Sequence, residues 1–258
     1  MYYTFQGTGG ALQNKNSIHT SFLISEESFH FLIDCSGNPV YFISHIDISV
    51  SDLTGILLTH GHPDHIYAFP SIIHQMYLNH RTKPLYVFTN EYTKNRAESI
   101  LNAFSIYKEK LGFQIKWYED HNYIYSLNNS ITLEMIPMKH KIPTSGFLFY
   151  RNGNPILAYS ADTAPHDDFF QKVKKTKVVI HETASPDKYK TNEKAIKNGH
   201  TSPEALGIYA EKYNIRCLCP CHINDLCFSE KQKEIANAIK KHYSGEIKFP
   251  VTGKLYKI

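Results

Sequence analysis

The stretch GILLTHGHPDH, residues 55–65, ends in three histidines and an aspartate: His60, His62, Asp64 and His65. Imidazoles and carboxylates are the side chains that bind divalent transition metals. In an extended segment alternate side chains share a side, so His60 and His62 point the same way. Pro63 breaks the strand and turns the chain. Asp64 and His65 then stand at the mouth of a helix. A His-x-His pair followed by Asp-His can feed two neighbouring metal positions. Zinc suits these ligands, and manganese or iron would also accept them. One histidine is commonly structural or solvated, but this density at this spacing points to metal chemistry.

The elements that must position such a centre follow from periodicity and turn residues. Short apolar runs read as strands over residues 2–7, 54–60, 85–89, 113–118, 131–137, 177–182 and 216–221. SFLIS and FHFLID form a hairpin around Glu26-Glu27, and GFLFYR and PILAYSAD a second around Asn152-Gly153-Asn154. Gly7-Thr8-Gly9-Gly10 reads as a turn. EIKFP and KLYKI close the chain. Helical spacing covers residues 65–78, 91–111 and 229–242, and Ser202-Pro203-Glu204 starts a helix that runs to about Tyr213. There is no repeat, no low-complexity stretch and no linker. The expectation is one α+β domain over residues 1–258, with two sheets packed face to face and helices outside.

Composition narrows the setting. A chain of 258 residues, 42% of them hydrophobic, can bury a sizeable core. No apolar run approaches membrane-spanning length. The opening MYYTFQGTGG lacks the basic and apolar regions of a secretory signal. Five cysteines, an odd count, fit a reducing compartment, so a cytoplasmic location is expected. The formal charge of +4 permits a polyanionic substrate without demanding one.

THGHPDH resembles the signature of the metallo-β-lactamase superfamily of binuclear metallohydrolases, and the chain is similar to its ribonuclease Z-like branch. FQGTGGA resembles that branch's opening, and FLIDCSG its second strand, where Asp34 would support the histidine loop. MKH brings His140, AYSADT Asp162, IHETA Glu182, GHTSPEA His200 and CPCHIND His222, in the family's order over almost the whole chain. The resemblance implies the four-layer αββα sandwich of the metallo-β-lactamase fold, with the site at one edge of the sheets. It implies two divalent metal ions, with zinc the foremost candidate. His60, His62 and His140 would hold one. Asp64, His65 and His222 would hold the other, and Asp162 would bridge them. Asp64, Glu182 and His200 are the catalytic candidates beside the metals. A metal-bridging hydroxide would attack phosphorus. His200 would protonate the leaving alkoxide, with Glu182 orienting its ring.

Departures from the family shape the substrate expectation. The common bacterial ribonuclease Z carries a tRNA-gripping arm between the counterparts of His140 and Asp162. Here those residues are joined only by KIPTSGFLFYRNGNPILAYSA, enough for a hairpin. A small or cyclic nucleotide-type phosphodiester is therefore expected ahead of tRNA. A tRNA 3′-end endonuclease is the alternative, and a sulfatase or lactonase a further one. Relatives are often dimers, so a homodimer is expected, with no membrane partner. Ala161 stands where the family often has glycine, and Ile-Asn-Asp follows the final histidine in place of a hydroxyl-and-arginine run.

Other features have plainer readings. Cys217, Cys219 and Cys221 share one strand face, with His222 opposite, and read as reduced core thiols. Cys35 and Cys227 read as ordinary thiols. The lysines of QKVKKTKVV read as a solvated face. Tyr67, Phe69 and Tyr159 are expected in the core. His74, His80, His121, His166, His181 and His242 are assigned no function.

Overall fold

A computed structural model describes residues 1–13, 18–183, 192–223 and 228–258. The first half contains β1 (Tyr2–Gly7), β2 (Ser21–Glu26), β3 (Phe29–Ile33), α1 (Pro39–Ser44), β4 (Gly55–Leu57), α2 (Pro63–Ile66), α3 (Phe69–Leu78), β5 (Leu85–Phe88), α4 (Glu91–Ala103) and β6 (Ile115–Tyr118). The second contains β7 (Ile124–Ser126), β8 (Ile131–Met138), β9 (Thr144–Arg151), β10 (Asn154–Tyr159), α5 (Asp167–Val173), β11 (Val178–Glu182), α6 (Asn192–Lys197), α7 (Pro203–Lys212), β12 (Cys217–Cys221), α8 (Phe228–Lys240), β13 (Glu246–Ile247) and finally β14 (Leu255–Lys257).

Among the described residues these strands make two seven-stranded sheets, ordered β14-β1-β2-β3-β4-β5-β6 and β13-β12-β11-β10-β9-β8-β7. The two follow one plan. β1, β2 and β3 pair antiparallel, then β3 to β6 run parallel. β7 to β10 pair antiparallel, then β10 to β13 run parallel. Parallel neighbours need crossovers, and here helices supply them. The carboxyl ends of β3, β4 and β5 and of β8, β10, β11 and β12 thus carry the loops that meet at one edge.

Alternation along each strand splits the apolar residues into layers. Phe5, Phe22, Phe31, Phe147, Phe149 and Tyr159 fill the space between the sheets. Leu32, Ile56 and Val87 turn outward against Phe69, Ile72 and Met76 of α3. Leu148, Val179 and Leu218 turn the other way, against Phe169, Leu206 and Ile235. This is the expected four-layer αββα arrangement. Among the described residues no helix is long and apolar enough to cross a membrane.

Several local expectations are corrected. The helix expected over 65–78 is two helices, interrupted at Tyr67-Ala68, with Pro70 in the first turn of α3. Proline lacks the N–H that a continuous helix would need there. The helix expected over 91–111 ends at Ala103, where Ser105 takes φ 56° and Ile106 N–H returns to Leu101 O. α1, α5, α6 and β7 were not expected. Gly7 to Gly10 do not turn: Gly9 bridges both His19 and Ile223. Gly7 serves close approach, since a Cβ there would lie 2.4 Å from His19 O.

The outer layer of the second sheet buries two histidines. His181 stacks on Phe170 with centroids 5.3 Å apart, donates from Nδ1 to Glu182 O at 2.7 Å, and leaves Nε2 without a hydrogen-bond partner among the described residues. Neither ring nitrogen of buried His166 has a hydrogen-bond partner among the described residues. Burial pushes the pKa of His181 down to about 4 and that of His166 below its ordinary value. The unfolded chain therefore binds more protons as pH falls below 6.5, and stability is lost on acidification. Replacing His181 by Met should remove its share. Denaturant unfolding of chelated protein should lose about 3 kcal/mol less in His181→Met than in the native chain between pH 6.5 and 4. Parallel profiles would show that His181 does not titrate in this way.

Candidate metal centre

The site begins with a carboxylate behind it. Asp34 follows β3 with φ 56° and is fully buried. Its Oδ1 accepts Thr59 N–H at 2.8 Å, and its Oδ2 accepts Thr59 Oγ1–H at 3.0 Å and His65 Nδ1–H at 2.8 Å. The loop after β4 is thereby held at both ends. His62 caps α2 in extended backbone, and Pro63 opens that helix. Asp64 and His65 fall in its only turn and face inward.

The second sheet delivers the other groups. His140 lies just beyond β8. Asp162 follows β10 through Ala161, which takes φ 53°. Glu182 ends β11, and His200 lies between α6 and α7. His222 follows β12 with φ 59°, its N–H bonded to Thr20 Oγ1 at 3.1 Å. That left-handed turn sends its ring to the site while Cys219 and Cys221 stay between the sheets.

Hydrogen bonds set the tautomers of three imidazoles. His65 donates from Nδ1 to Asp34. His140 donates from Nδ1 to Gly199 O at 2.8 Å. Thr59 Oγ1, having donated to Asp34, accepts from His60 Nδ1 at 2.9 Å. All three rings therefore aim an Nε2 lone pair inward, the way a metal-ligating histidine is prepared.

Those lone pairs converge in two groups. His62 Nδ1 lies 3.0 Å from His60 Nε2 and 3.2 Å from His140 Nε2. His222 Nε2 lies 3.3 Å from His65 Nε2 and 3.4 Å from Asp64 Oδ2, and Asp64 Oδ2 lies 3.4 Å from His65 Nε2. Asp162 faces both: Oδ2 is 3.9 Å from His60 and His140 Nε2, and Oδ1 is 3.3 Å from His222 Nε2 and 3.6 Å from His65 Nε2. Ligand atoms about 2.05 Å from one tetrahedral ion stand about 3.3 Å apart, so the spacings fit a cation in each group. A proton on His62 Nδ1 could serve only one of its two facing nitrogens, whereas a cation serves them all. Buried Asp162 Oδ1 has no hydrogen-bond partner among the described residues, as befits an oxygen aimed at an ion.

The electrostatics agree. Burial, with His65 nearby, holds His60 well below its ordinary pKa, and burial brings His140 down to about 4, so both rings are neutral donors. Burial opposes ionisation of Asp64 and Asp162. The neighbouring His65 and His222 outweigh it and hold both below the usual carboxylate range. His65 is buried too, yet Asp162, Asp34 and Asp64 hold its pKa well above normal, so its inward Nε2 keeps a proton that a bound cation would displace to meet the lone pair. Such a pocket attracts positive charge.

Beside it stands a second pair. His200 Nδ1 donates to Glu182 Oε1 at 2.8 Å, and the same oxygen accepts Thr163 N–H at 2.8 Å. Glu182 is fully buried and His200 is partly exposed. His200 Nδ1 stands 4.0 Å from Asp162 Oδ2, so the pair adjoins the metal groups. All nine candidates, His60, His62, Asp64, His65, His140, Asp162, Glu182, His200 and His222, are thus brought together. Thr59 and Gly199, which orient His60 and His140, were missed. Their signal was adjacency: each directly precedes a candidate histidine.

The remaining candidates lie elsewhere. Cys35, Cys217, Cys219 and Cys221 are buried free thiols, pushed up in pKa by burial and so inert. Cys227 lies outside the described residues. Phe69 and Tyr159 are core, but Tyr67 is 44% exposed, against the expectation, because the helix break turns it outward. It donates to Gly37 O and packs edge-on to His19.

Comparisons with known proteins agree with this geometry. A family model described as Anti-Pycsar protein Apyc1 matches residues 1–218. Ribonuclease Z of Methanocaldococcus jannaschii is 26% identical over 310 aligned positions, covering 99% of this chain and 96% of that protein. Ribonuclease Z of Methanococcus maripaludis is 30% identical over 159 residues, covering 60% of this chain, which spans half of that protein's length. The metallo-β-lactamase fold protein YhfI of Bacillus subtilis superimposes with a TM-score of 0.78 at 16% identity, over 99% of this chain and 98% of that one. The architecture is the metallo-β-lactamase fold.

Asp34 generates a prediction. Replacing it by Ala frees His65 to rotate and removes the anchor of Thr59. Divalent-metal affinity, read by competition with a chromogenic chelator, should fall about 10- to 100-fold. Unchanged affinity in a folded Asp34→Ala protein would mean that the loop holds its shape unaided.

Proposed function

The chain belongs to the Anti-Pycsar protein Apyc1 family, and from that premise we propose that it is a binuclear phosphodiesterase with an anti-Pycsar role, acting on small or cyclic nucleotide-type phosphodiesters. It is a metal-dependent hydrolase of the metallo-β-lactamase superfamily, similar to ribonuclease Z. In this reading His60, His62 and His140 would hold one divalent ion, and Asp64, His65 and His222 the other. Asp162, which faces both groups, would help to hold both ions, and zinc suits these donors. Bound there, the ions supply Lewis acidity, making hydroxide available near neutral pH and offsetting charge at phosphorus.

The chain's own groups do the rest. The ester lies beside the two ligand groups, near Asp162 and within reach of His200. Water gives up one proton to solvent as its oxygen bonds to phosphorus, and the electron pair of the breaking ester P–O bond leaves with the departing oxygen. His200, held by Glu182 through Nδ1, delivers a proton from its other nitrogen to the departing ribose oxygen. Glu182 fixes the ring's orientation and raises its basicity.

The observation that supports a small substrate is the hairpin between His140 and Asp162. β9 and β10 are joined by a tight turn at Asn152-Gly153, and no arm leaves this segment. The second reading, a tRNA 3′-end endonuclease, is supported by the similarity to Methanocaldococcus ribonuclease Z. A panel of cyclic nucleotides, bis(p-nitrophenyl) phosphate, an aryl sulfate, a lactone and a precursor tRNA separates these readings. The small phosphodiesters should be cleaved fastest by protein carrying about two metal ions per chain. Efficient 3′ processing above the small-ester rate would favour the second reading, and preference for the sulfate or lactone would defeat both.

His200 should matter most when the leaving group is poor. His200→Ala should slow a ribose-leaving substrate by about 10²- to 10⁴-fold and bis(p-nitrophenyl) phosphate much less, at unchanged metal content. Equal losses would assign His200 to charge stabilisation, and loss of metal would make it a ligand.

A further inference from the structure

We propose that Arg96, seated on Tyr92, is a substrate-binding residue that carries the nucleobase of a nucleotide at the mouth of the metal centre. This rests on the phosphodiesterase reading and names what holds the part of the substrate beyond phosphorus.

The first turns of α4 are fixed against the site. Asn90 caps the helix by accepting Thr93 N–H at 2.9 Å, and its Nδ2 donates to Thr59 O, Pro143 O and Ser145 Oγ at 3.2–3.3 Å. Thr59 directly precedes His60, and Ser145 belongs to β9, so the helix start is tied to both sheets beside the histidine loop. Tyr92 and Arg96 stand one turn apart on this helix and share a face.

Arg96 is held by both ends of its side chain. Its Cζ lies 4.2 Å from the centroid of the Tyr92 ring, and its Nη2 donates to Tyr92 OH. Its stem lies along Gly61, where a Cβ would come within 2.3 Å of Arg96 Cδ and 3.1 Å of Nε. Gly61 separates His60 from His62, so its lack of a side chain makes the room that Arg96 fills. Lys94, on the same helix, pairs with Glu119 at 2.7 Å, whereas no carboxylate among the described residues pairs with Arg96. An exposed guanidinium, pre-positioned without a counter-charge, is thus held one residue from two candidate ligands.

In the proposed reading phosphorus sits beside the two ligand groups, near Asp162 and His200. Arg96 is exposed and lies against Gly61, between His60 and His62 in the chain, so it is placed to meet a part of the substrate that projects outward. In a nucleotide that part includes the base. A guanidinium lying on a tyrosine ring presents a flat cationic face and an N–H edge. A nucleobase offers a π-face for the one and lone pairs for the other. A lysine ammonium would supply the charge without the plane.

The test uses the full metal-loaded chain, a 3′,5′-cyclic nucleotide and bis(p-nitrophenyl) phosphate, which has no base. Arg96→Ala should raise KM for the cyclic nucleotide about ten-fold, with a smaller change in kcat, and cut its kcat/KM relative to the nitrophenyl ester by a similar factor. Arg96→Lys should resemble Arg96→Ala, and Tyr92→Leu should move the same way, all at native metal content by elemental analysis. Equal losses on both substrates would place Arg96 at the phosphate or the histidine loop and overturn the proposal. So would full rescue by lysine, or no change. Cleavage of the nitrophenyl ester without cyclic-nucleotide cleavage would defeat the substrate reading instead. Calorimetric binding of a nucleoside monophosphate then decides the role of Arg96: about ten-fold weaker binding in Arg96→Ala supports it and equal binding overturns it.

Discussion

A buried carboxylate bonded to a loop it does not belong to organises this molecule. Asp34 lies at the end of β3 and takes three hydrogen bonds from Thr59 and His65. A carboxylate removed from water is costly unless its oxygens are satisfied. Here the groups that satisfy it also turn two imidazoles inward: His65 directly, and His60 through Thr59. Charge burial and donor orientation are one arrangement, and neither stands without the other. Asp162 repeats the logic from the second sheet with its oxygens turned to the site instead of to backbone.

The two sheets share a plan, antiparallel strands first and parallel ones after, and the consequence is spatial. Parallel strands end on the same side, so each sheet presents several carboxyl ends at one edge. Packed face to face, the sheets bring those ends together. His222 and Asp64, 158 residues apart, come to 3.4 Å, and His140 and His62, 78 apart, come to 3.2 Å. The core between the sheets carries the precision of the site, because those spacings hold only while the layer of phenylalanines keeps its thickness.

The types and order of the site residues were legible along the chain, as was the strand content, because alternation and turn residues mark both. Distances were not, since His222 reaches Asp64 only through the packing of two sheets. α5 escaped notice because His166 gives it no side-chain cap and seven residues are too few for a clear period. α1 does have Asn38 and Pro39 at its start, but it ends after six residues. The helix α4 was read too long because Phe104 and Tyr107 continue the helical spacing of Ala97, Ile100 and Leu101 past Ala103, although the chain turns at Ser105. The glycines at 7, 9 and 10 suggested a turn where the segment instead runs extended against the backbone of His19 and Ile223.

Three strand ends at the edge that carries the metal centre leave through left-handed backbone without glycine: Asp34, Ala161 and His222. That conformation costs roughly 1 kcal/mol or more for a residue with a Cβ. Two of the three cannot be exchanged for glycine, since their side chains do the work described above. Ala161 contributes only a methyl to the space between the sheets. For an evolving lineage this makes position 161 unlike its counterparts. It is a place where the chain can drift between alanine and glycine, trading packing against backbone ease, without touching a donor atom. The family this chain resembles often has glycine there. Glycine at 161 would leave every donor atom in place, whereas the aspartate and histidine have no such freedom.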